Sequence, residues 1–182
     1  PDYAEALNNL GTVLQHLGRH EEAVASYRKT LDLKPDYAEA HSNLGITLHE
    51  LGRLEEAKAQ CRQAITLKPD FAEAYYSLGN TLKELGIMDE AEASYTQAID
   101  LKPDFAEAHC NLGVTLQVLG RLDEAEASYR QSITLKPDFA EAYFTLGNTL
   151  QELGRLEEAE ASYTQALDLK PDFAEAHCNL GV

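Results

Sequence analysis

Tryptophan is absent from this 182-residue chain, methionine occurs once, and cysteine occurs three times, at Cys61, Cys110 and Cys178. An odd and sparse set of thiols builds no disulfide framework and fits a reducing compartment, so a cytoplasmic location is expected. Positive charge is scarce too: 15 Lys and Arg stand against 31 Asp and Glu, a formal net charge of −16. Such a charge repels nucleic-acid phosphates and anionic lipid, which argues against either as a partner. No apolar run approaches the roughly 20 residues of a membrane span, and no signal peptide is visible. Proline is confined to six places, Pro1, Pro35, Pro69, Pro103, Pro137 and Pro171, each 34 residues from the next.

What is present is one phrase, Leu-Lys-Pro-Asp-Tyr/Phe-Ala-Glu-Ala, recurring with those prolines. A fixed period of this length signals stacked supersecondary units whose stability comes from neighbour packing rather than from one central core. Counted from Ala-Glu-Ala, the whole span 1–182 is a single array with units 4–37, 38–71, 72–105, 106–139 and 140–173 and a partial sixth, 174–182. The chain opens within the phrase and stops partway into a unit, as expected of a piece of a longer array.

The second unit shows the pattern. Tyr37, His41, Leu44, Leu48 and Leu51 recur at spacings of four and three, one face of an α-helix. Asp36 and Glu39 read as a capping box at its start, and Gly52 offers the left-handed conformation that ends it. A second helix follows. Glu55 and Glu56 suit its N-terminal end, Leu54, Ala57, Cys61, Ala64 and Ile65 form its apolar stripe, and Pro69 stops it. Neither helix holds alone at this length, so each must bury its stripe against its mate and the next unit. Gly11, Gly45, Gly79, Gly113 and Gly147 fall mid-way along the first helices, at a cost of about 1 kcal/mol each relative to Ala. The repeated cost makes sense if the partner helix approaches there. Ala23, Ala57, Ala91, Ala125 and Ala159 are the expected facing residues, and Gly113→Leu is expected to wedge its hairpin apart.

The series Asn-Leu-Gly, Leu, Leu-Gly, Glu-Ala, Tyr and Pro on a 34-residue period resembles the tetratricopeptide repeat, and the resemblance covers the whole chain. It implies an all-α fold, an α-solenoid in which antiparallel helical hairpins form a right-handed superhelix with the first helices lining a concave groove. The family's usual tryptophan is replaced by Leu7, His41, Tyr75, His109, Tyr143 and His177, and Cys61 stands where the other units have Tyr27, Tyr95, Tyr129 and Tyr163. These departures lie at packing positions.

A longer period is hidden inside the first. Unit three matches unit five at 27 of 34 positions and unit two matches unit four at 25, which exceeds the match between neighbours and makes the effective repeat 68 residues. On unit two the free face reads Glu39, Ser42, Asn43, Ile46, His49 and Glu50. Along the chain one row of this face is Asn9, Asn43, Ser77, Asn111, Thr145, Asn179, and the next is Thr12, Ile46, Asn80, Val114, Asn148, Val182. Asparagine carries a donor and an acceptor, so these rows either pair with an extended peptide backbone or simply bind water. The arrangement is similar to the asparagine ladders of the superhelical arms of protein O-linked N-acetylglucosamine transferases, and to the arrays of bacterial scaffolds. Tyr76 and Phe144, in the variable row Asn8, Ser42, Tyr76, Cys110, Phe144, Cys178, are either groove anchors or packing at the joins between units. The acidic row Glu5, Glu39, Glu73, Glu107, Glu141, Glu175 either attracts a basic peptide or caps helices.

No catalytic constellation, phosphate loop or cofactor motif stands out, so no enzyme activity and no cofactor are expected. His41, His109 and His177 lie two units apart, and an adjacent cysteine points about 100° away, so no shared metal is expected. Lys83 is the only basic residue on the groove faces, which excludes the clamp for a C-terminal carboxylate found in chaperone-binding members of the family. The expected function is a protein-interaction scaffold that holds an extended peptide in the groove. The alternative is the substrate-recognition arm of a protein glycosyltransferase whose catalytic domain lies elsewhere. Head-to-tail self-association through uncapped ends is a further expectation.

Overall fold

The computed structural model describes residues 3–172, and all its regular structure is helical. The order is α1 (Tyr3–His16), α2 (His20–Leu33), α3 (Ala38–Glu50), α4 (Leu54–Leu67), α5 (Ala72–Glu84), α6 (Met88–Leu101), α7 (Ala106–Val118), α8 (Leu122–Leu135), α9 (Ala140–Glu152) and α10 (Leu156–Leu169). Each odd helix packs along the even helix that follows it, which makes five helical hairpins, so the chain is an all-α solenoid. They fall into two compact units, Pro1–Leu101 and Lys102–Val182. In the first, α2 lies on α3 and α4 on α5; in the second, α8 lies on α9. The partial sixth repeat, 174–182, lies outside the described residues.

The turn inside each hairpin follows from its glycine. Gly52 adopts φ +71°. Its N–H donates to the His49 carbonyl at 2.8 Å and the Arg53 N–H to the Leu48 carbonyl at 2.9 Å, a Schellman closure of α3. The start of α3 differs from the expected capping box. Ala40 and His41 both donate to the Tyr37 carbonyl, so Tyr37 is the N-cap and no side chain caps it. Helical register thus begins one residue later than Asp36 would set it, and Glu39 is free to reach Lys68 Nζ at 3.2 Å.

The closest approach inside each hairpin also differs from expectation. A Cβ built on Gly113 would lie 2.6 Å from Cε1 of Tyr129, and one on Gly79 2.6 Å from the same atom of Tyr95. The glycine therefore receives a buried tyrosine ring, not an alanine side chain. In the second repeat Cys61 takes that place, its Sγ 2.8 Å from where a Cβ on Gly45 would lie. Around these contacts the core of the first unit gathers Leu14, Val24, Tyr27, Leu44 and Leu48. That of the second gathers Cys110, Leu116, Tyr129, Leu146, Leu150 and Tyr163.

A middle first helix is covered on more than one side. α3 buries seven of its thirteen residues, Ser42 and Thr47 among them, so its buried arc is wider than the predicted stripe and takes in part of the face expected to be free. Ser42 and Cys110 of the variable row are buried for the same reason, and Asn8 is buried on α1, where its Oδ1 accepts from Asn43.

Candidate functional site

The remaining exposed arc of the first helices carries the candidate residues. In the first unit Asn9 is exposed and Asn43 and Asn80 are half-buried on successive first helices; in the second, Asn111 and Asn148 are half-buried on α7 and α9. Asn179 lies outside the described residues. Asn43 Nδ2 donates to Asn8 Oδ1 of the preceding repeat at 3.3 Å, so this amide already spans two first helices.

The buried tyrosines reach this face from below, an arrangement the sequence reading missed. Tyr95 Oη donates to Asn80 Oδ1 at 2.8 Å. Tyr163 Oη lies 2.8 Å from both Asn148 Oδ1 and Gln151 Oε1. Tyr27 and Tyr129 reach Gln15 Oε1 at 3.3 Å and Gln117 Oε1 at 3.1 Å in the same way. Each ring fills the glycine notch while its hydroxyl bonds a side-chain amide of the first helix, which satisfies the one polar atom of a buried tyrosine. The available signal was the constant 16-residue step from mid-helix glycine to tyrosine, Gly11 to Tyr27 and Gly79 to Tyr95.

A second set of contacts holds the amides from the side. Gln15 Nε2 donates to the Glu50 carboxylate one repeat on at 3.1 Å, and Gln117 Nε2 donates to Glu152. His49 Nε2 lies 2.6 Å from Glu84 in the same relation. Gln15 and Gln117 are thus bound at both ends of the amide, so their orientation is fixed before any ligand arrives. In the second unit Gln117, Asn148, Gln151 and Glu152 line a hollow of about 500 Å³. Another cleft, of about 440 Å³, opens between α8 and α10 over Tyr143 and Leu146.

Tyr76 and Phe144 are half-buried and lean on the core tyrosine of their own hairpin. Their ring centroids lie 6.0 Å from Tyr95 and 5.9 Å from Tyr163, at tilted angles of 54° and 47°. The acidic row is charge-compensated where its partners are seen: Glu107 pairs with Lys136 at 2.9 Å and Glu141 with Lys170 at 3.5 Å, alongside Glu39 with Lys68. The hydrogen bond from Lys136 holds the Glu107 carboxyl below its ordinary value. Lys136 Nζ also lies 4.8 Å from the centre of the Phe139 ring. Both groups are thereby committed to the join between hairpin and following repeat.

His41 is wired into the fold, with Nδ1 2.7 Å from Gln60 Oε1 and Nε2 2.9 Å from the Pro35 carbonyl. Among the described residues no three His, Cys, Asp or Glu side chains come together to hold a metal ion, and no helix is long and apolar enough to cross a membrane. Cys61 and Cys110 are buried free thiols, and burial pushes the Cys61 thiol up to about 12.

Hairpins stacked on a 34-residue period, each with a tyrosine or cysteine locked on a glycine and a polar arc on its first helix, define the tetratricopeptide-repeat class. Residues 3–182 match the family described as the cilia and flagella-associated protein 70 C-terminal domain, a tetratricopeptide-repeat family, and the chain belongs to it. Comparison with curated proteins gave no match. Solved structures similar to it include MamA, at 28% identity and a TM-score of 0.80 over 91% of this chain and 96% of that one. YrrB, described as a TPR protein with an unusual peptide-binding site, is similar at 26% identity and a TM-score of 0.78 over 97% and 91% of the two chains. TTC0263, a thermophilic TPR protein of Thermus thermophilus, is similar at 25% and 0.76 over 98% and 97%.

Proposed function

We propose that this chain is a protein–protein interaction scaffold whose first-helix face holds an extended peptide segment. The observation that carries the reading is the set of side-chain amides on that face, Asn9, Asn43 and Asn80 in one unit and Asn111 and Asn148 in the other, two of them, Asn80 and Asn148, held by buried tyrosines. An amide held in place by its own fold loses little freedom on binding, and it can meet main-chain N–H and C=O groups whatever the peptide's sequence. Tyr76 and Phe144 flank this set and supply apolar contact for side chains of the bound segment. YrrB is described as having a peptide-binding site, which agrees with the assignment of the ligand class.

Each amide hydrogen bond contributes about 0.5–1.5 kcal/mol. Loss of both Asn43 and Asn111 then weakens binding by about 1–3 kcal/mol, between fivefold and somewhat over a hundredfold. Peptides selected on an array, then titrated calorimetrically into the chain and into Asn43→Ala/Asn111→Ala, measure this directly. Full affinity in the double variant would refute the amide reading.

A further inference from the structure

The first helices carry two acidic rows, one in the first turn and one at the last residue. The first-turn carboxylates Glu39, Glu107 and Glu141 are neutralised by Lys68, Lys136 and Lys170. Glu50, Glu84 and Glu152 end α3, α5 and α9, and the partners seen on them are amides and imidazoles instead. The carbonyls at a helix C-terminus carry partial negative charge, so each of these carboxylates stands where a cation is favoured twice over.

The first unit supplies that cation-forming group from its own chain. His16, His49 and Lys83 stand in the last turns of α1, α3 and α5. His49 Nε2 lies 2.6 Å from Glu84, and His20 Nδ1 lies 3.1 Å from Glu50. The second unit differs. Neither α7 nor α9 has a basic residue in its last turn. Gln117 and Gln151 take the places of His49 and Lys83, two and three periods on. Glu152 therefore receives a neutral amide, from Gln117, where Glu84 receives an imidazole.

Glu152 also lines the hollow of about 500 Å³ with Gln117, Asn148 and Gln151, and it is the one charged residue of that lining. The amides there are set by the core. Gln117 Oε1 accepts from Tyr129, and Gln151 Oε1 accepts from Tyr163. An amide oxygen has two lone pairs, so each can take a further donor from the hollow side. The hollow thus combines a carboxylate with fixed neutral acceptors spread around it.

We propose that this hollow is the specificity pocket of the peptide face and takes an arginine side chain of the bound segment, with its guanidinium on Glu152. The proposal rests on the reading of the first-helix face as a peptide site. A guanidinium offers five N–H donors in one plane, so it can meet the carboxylate with two and the amide oxygens with others. Lysine brings the charge but only three donors on a single nitrogen, and an acidic side chain is repelled.

An array of extended peptides with one central position fixed as Arg, Lys, Gln or Glu supplies the probes. The tightest arginine peptide and its three counterparts are then titrated calorimetrically into the chain, with circular dichroism to show that each variant keeps its helix. Glu152 is exposed, so the effect is that of a well-formed surface pair: the Arg version binds about three- to tenfold more tightly than the Gln version. The Lys version falls between them and the Glu version is weakest. The preference shrinks as salt is raised. In Glu152→Gln the Arg and Gln versions bind alike, and in Glu152→Arg the Glu version binds more tightly than the Arg version. Peptide binding that falls in Asn43→Ala/Asn111→Ala but shows no preference for arginine, or a preference that survives Glu152→Gln, overturns the pocket and leaves the peptide face standing. A chain that binds none of the peptides overturns both.

Discussion

Gly113→Ala should destabilise the chain, although alanine is the better helix former. In an exposed helix interior the exchange gains about 1 kcal/mol. Here the new Cβ would lie 2.6, 2.8 and 2.9 Å from three atoms of the Tyr129 ring. That ring is fully buried, so it cannot swing into solvent to make room. Overpacking of this kind costs about 1–3 kcal/mol. We take the upper part of that range, since three ring atoms are struck at once, and expect a net loss of about 1–2 kcal/mol. Urea and thermal unfolding followed by circular dichroism measure it, as a midpoint lowered by several degrees. The sign should reverse when the ring is removed. In a Tyr129→Ala background, itself destabilised by about 3–5 kcal/mol, Gly113→Ala no longer meets the ring and should recover most of the gain of about 1 kcal/mol. A Gly113→Ala chain as stable as the native one, or the same sign of effect in both backgrounds, would refute the claim that the hairpin closes on a glycine–tyrosine contact.

Two other perturbations follow from the buried and paired groups. The Cys61 thiol is fully buried and titrates near 12, so it should resist iodoacetamide at pH 8 in the folded chain and react fully in urea, as peptide mass mapping would show; rapid labelling of the folded chain would mean that the second hairpin opens freely. Glu107 is held below its ordinary value by Lys136, so its contribution to stability is complete above the unfolded carboxylate pKa of about 4.3 and is lost as pH falls through the lower folded value. Glu107→Gln should flatten the acid limb of a stability–pH curve and leave stability less changed at pH 3 than at pH 7; an unaltered acid limb would contradict the pairing.

The architecture was legible because its signals are periodic and local. Pro35 and its repeats mark the ends of second helices, Gly52 marks the tight turn, and Leu44 and Leu48 lie on a face that any helix would bury. What escaped depends on contacts across the turn. Tyr27 and Gly11 are 16 residues apart, on different helices, and no helical period relates them. The capping box at Asp36 and Glu39 has the right spacing, but the Tyr37 carbonyl takes the first helical hydrogen bonds and shifts the register by one residue. Ser42 and Cys110 looked free because a single-face pattern ignores the neighbouring hairpins that cover an inner first helix from the side. The rows of asparagines could be placed on one face from spacing alone. That Tyr95 and Tyr163 hold two of them from within the core could not, since it needs the packed hairpin.

The side-chain amide signals of the asparagines offer the most direct test of peptide binding on the first-helix face. In a nitrogen–proton spectrum of the labelled chain, titrated with an array-selected peptide, the Nδ2 resonances of Asn43, Asn80, Asn111 and Asn148 should shift saturably with the binding isotherm. Shifts confined to the second helices, with these four amides unmoved at saturation, would contradict the account.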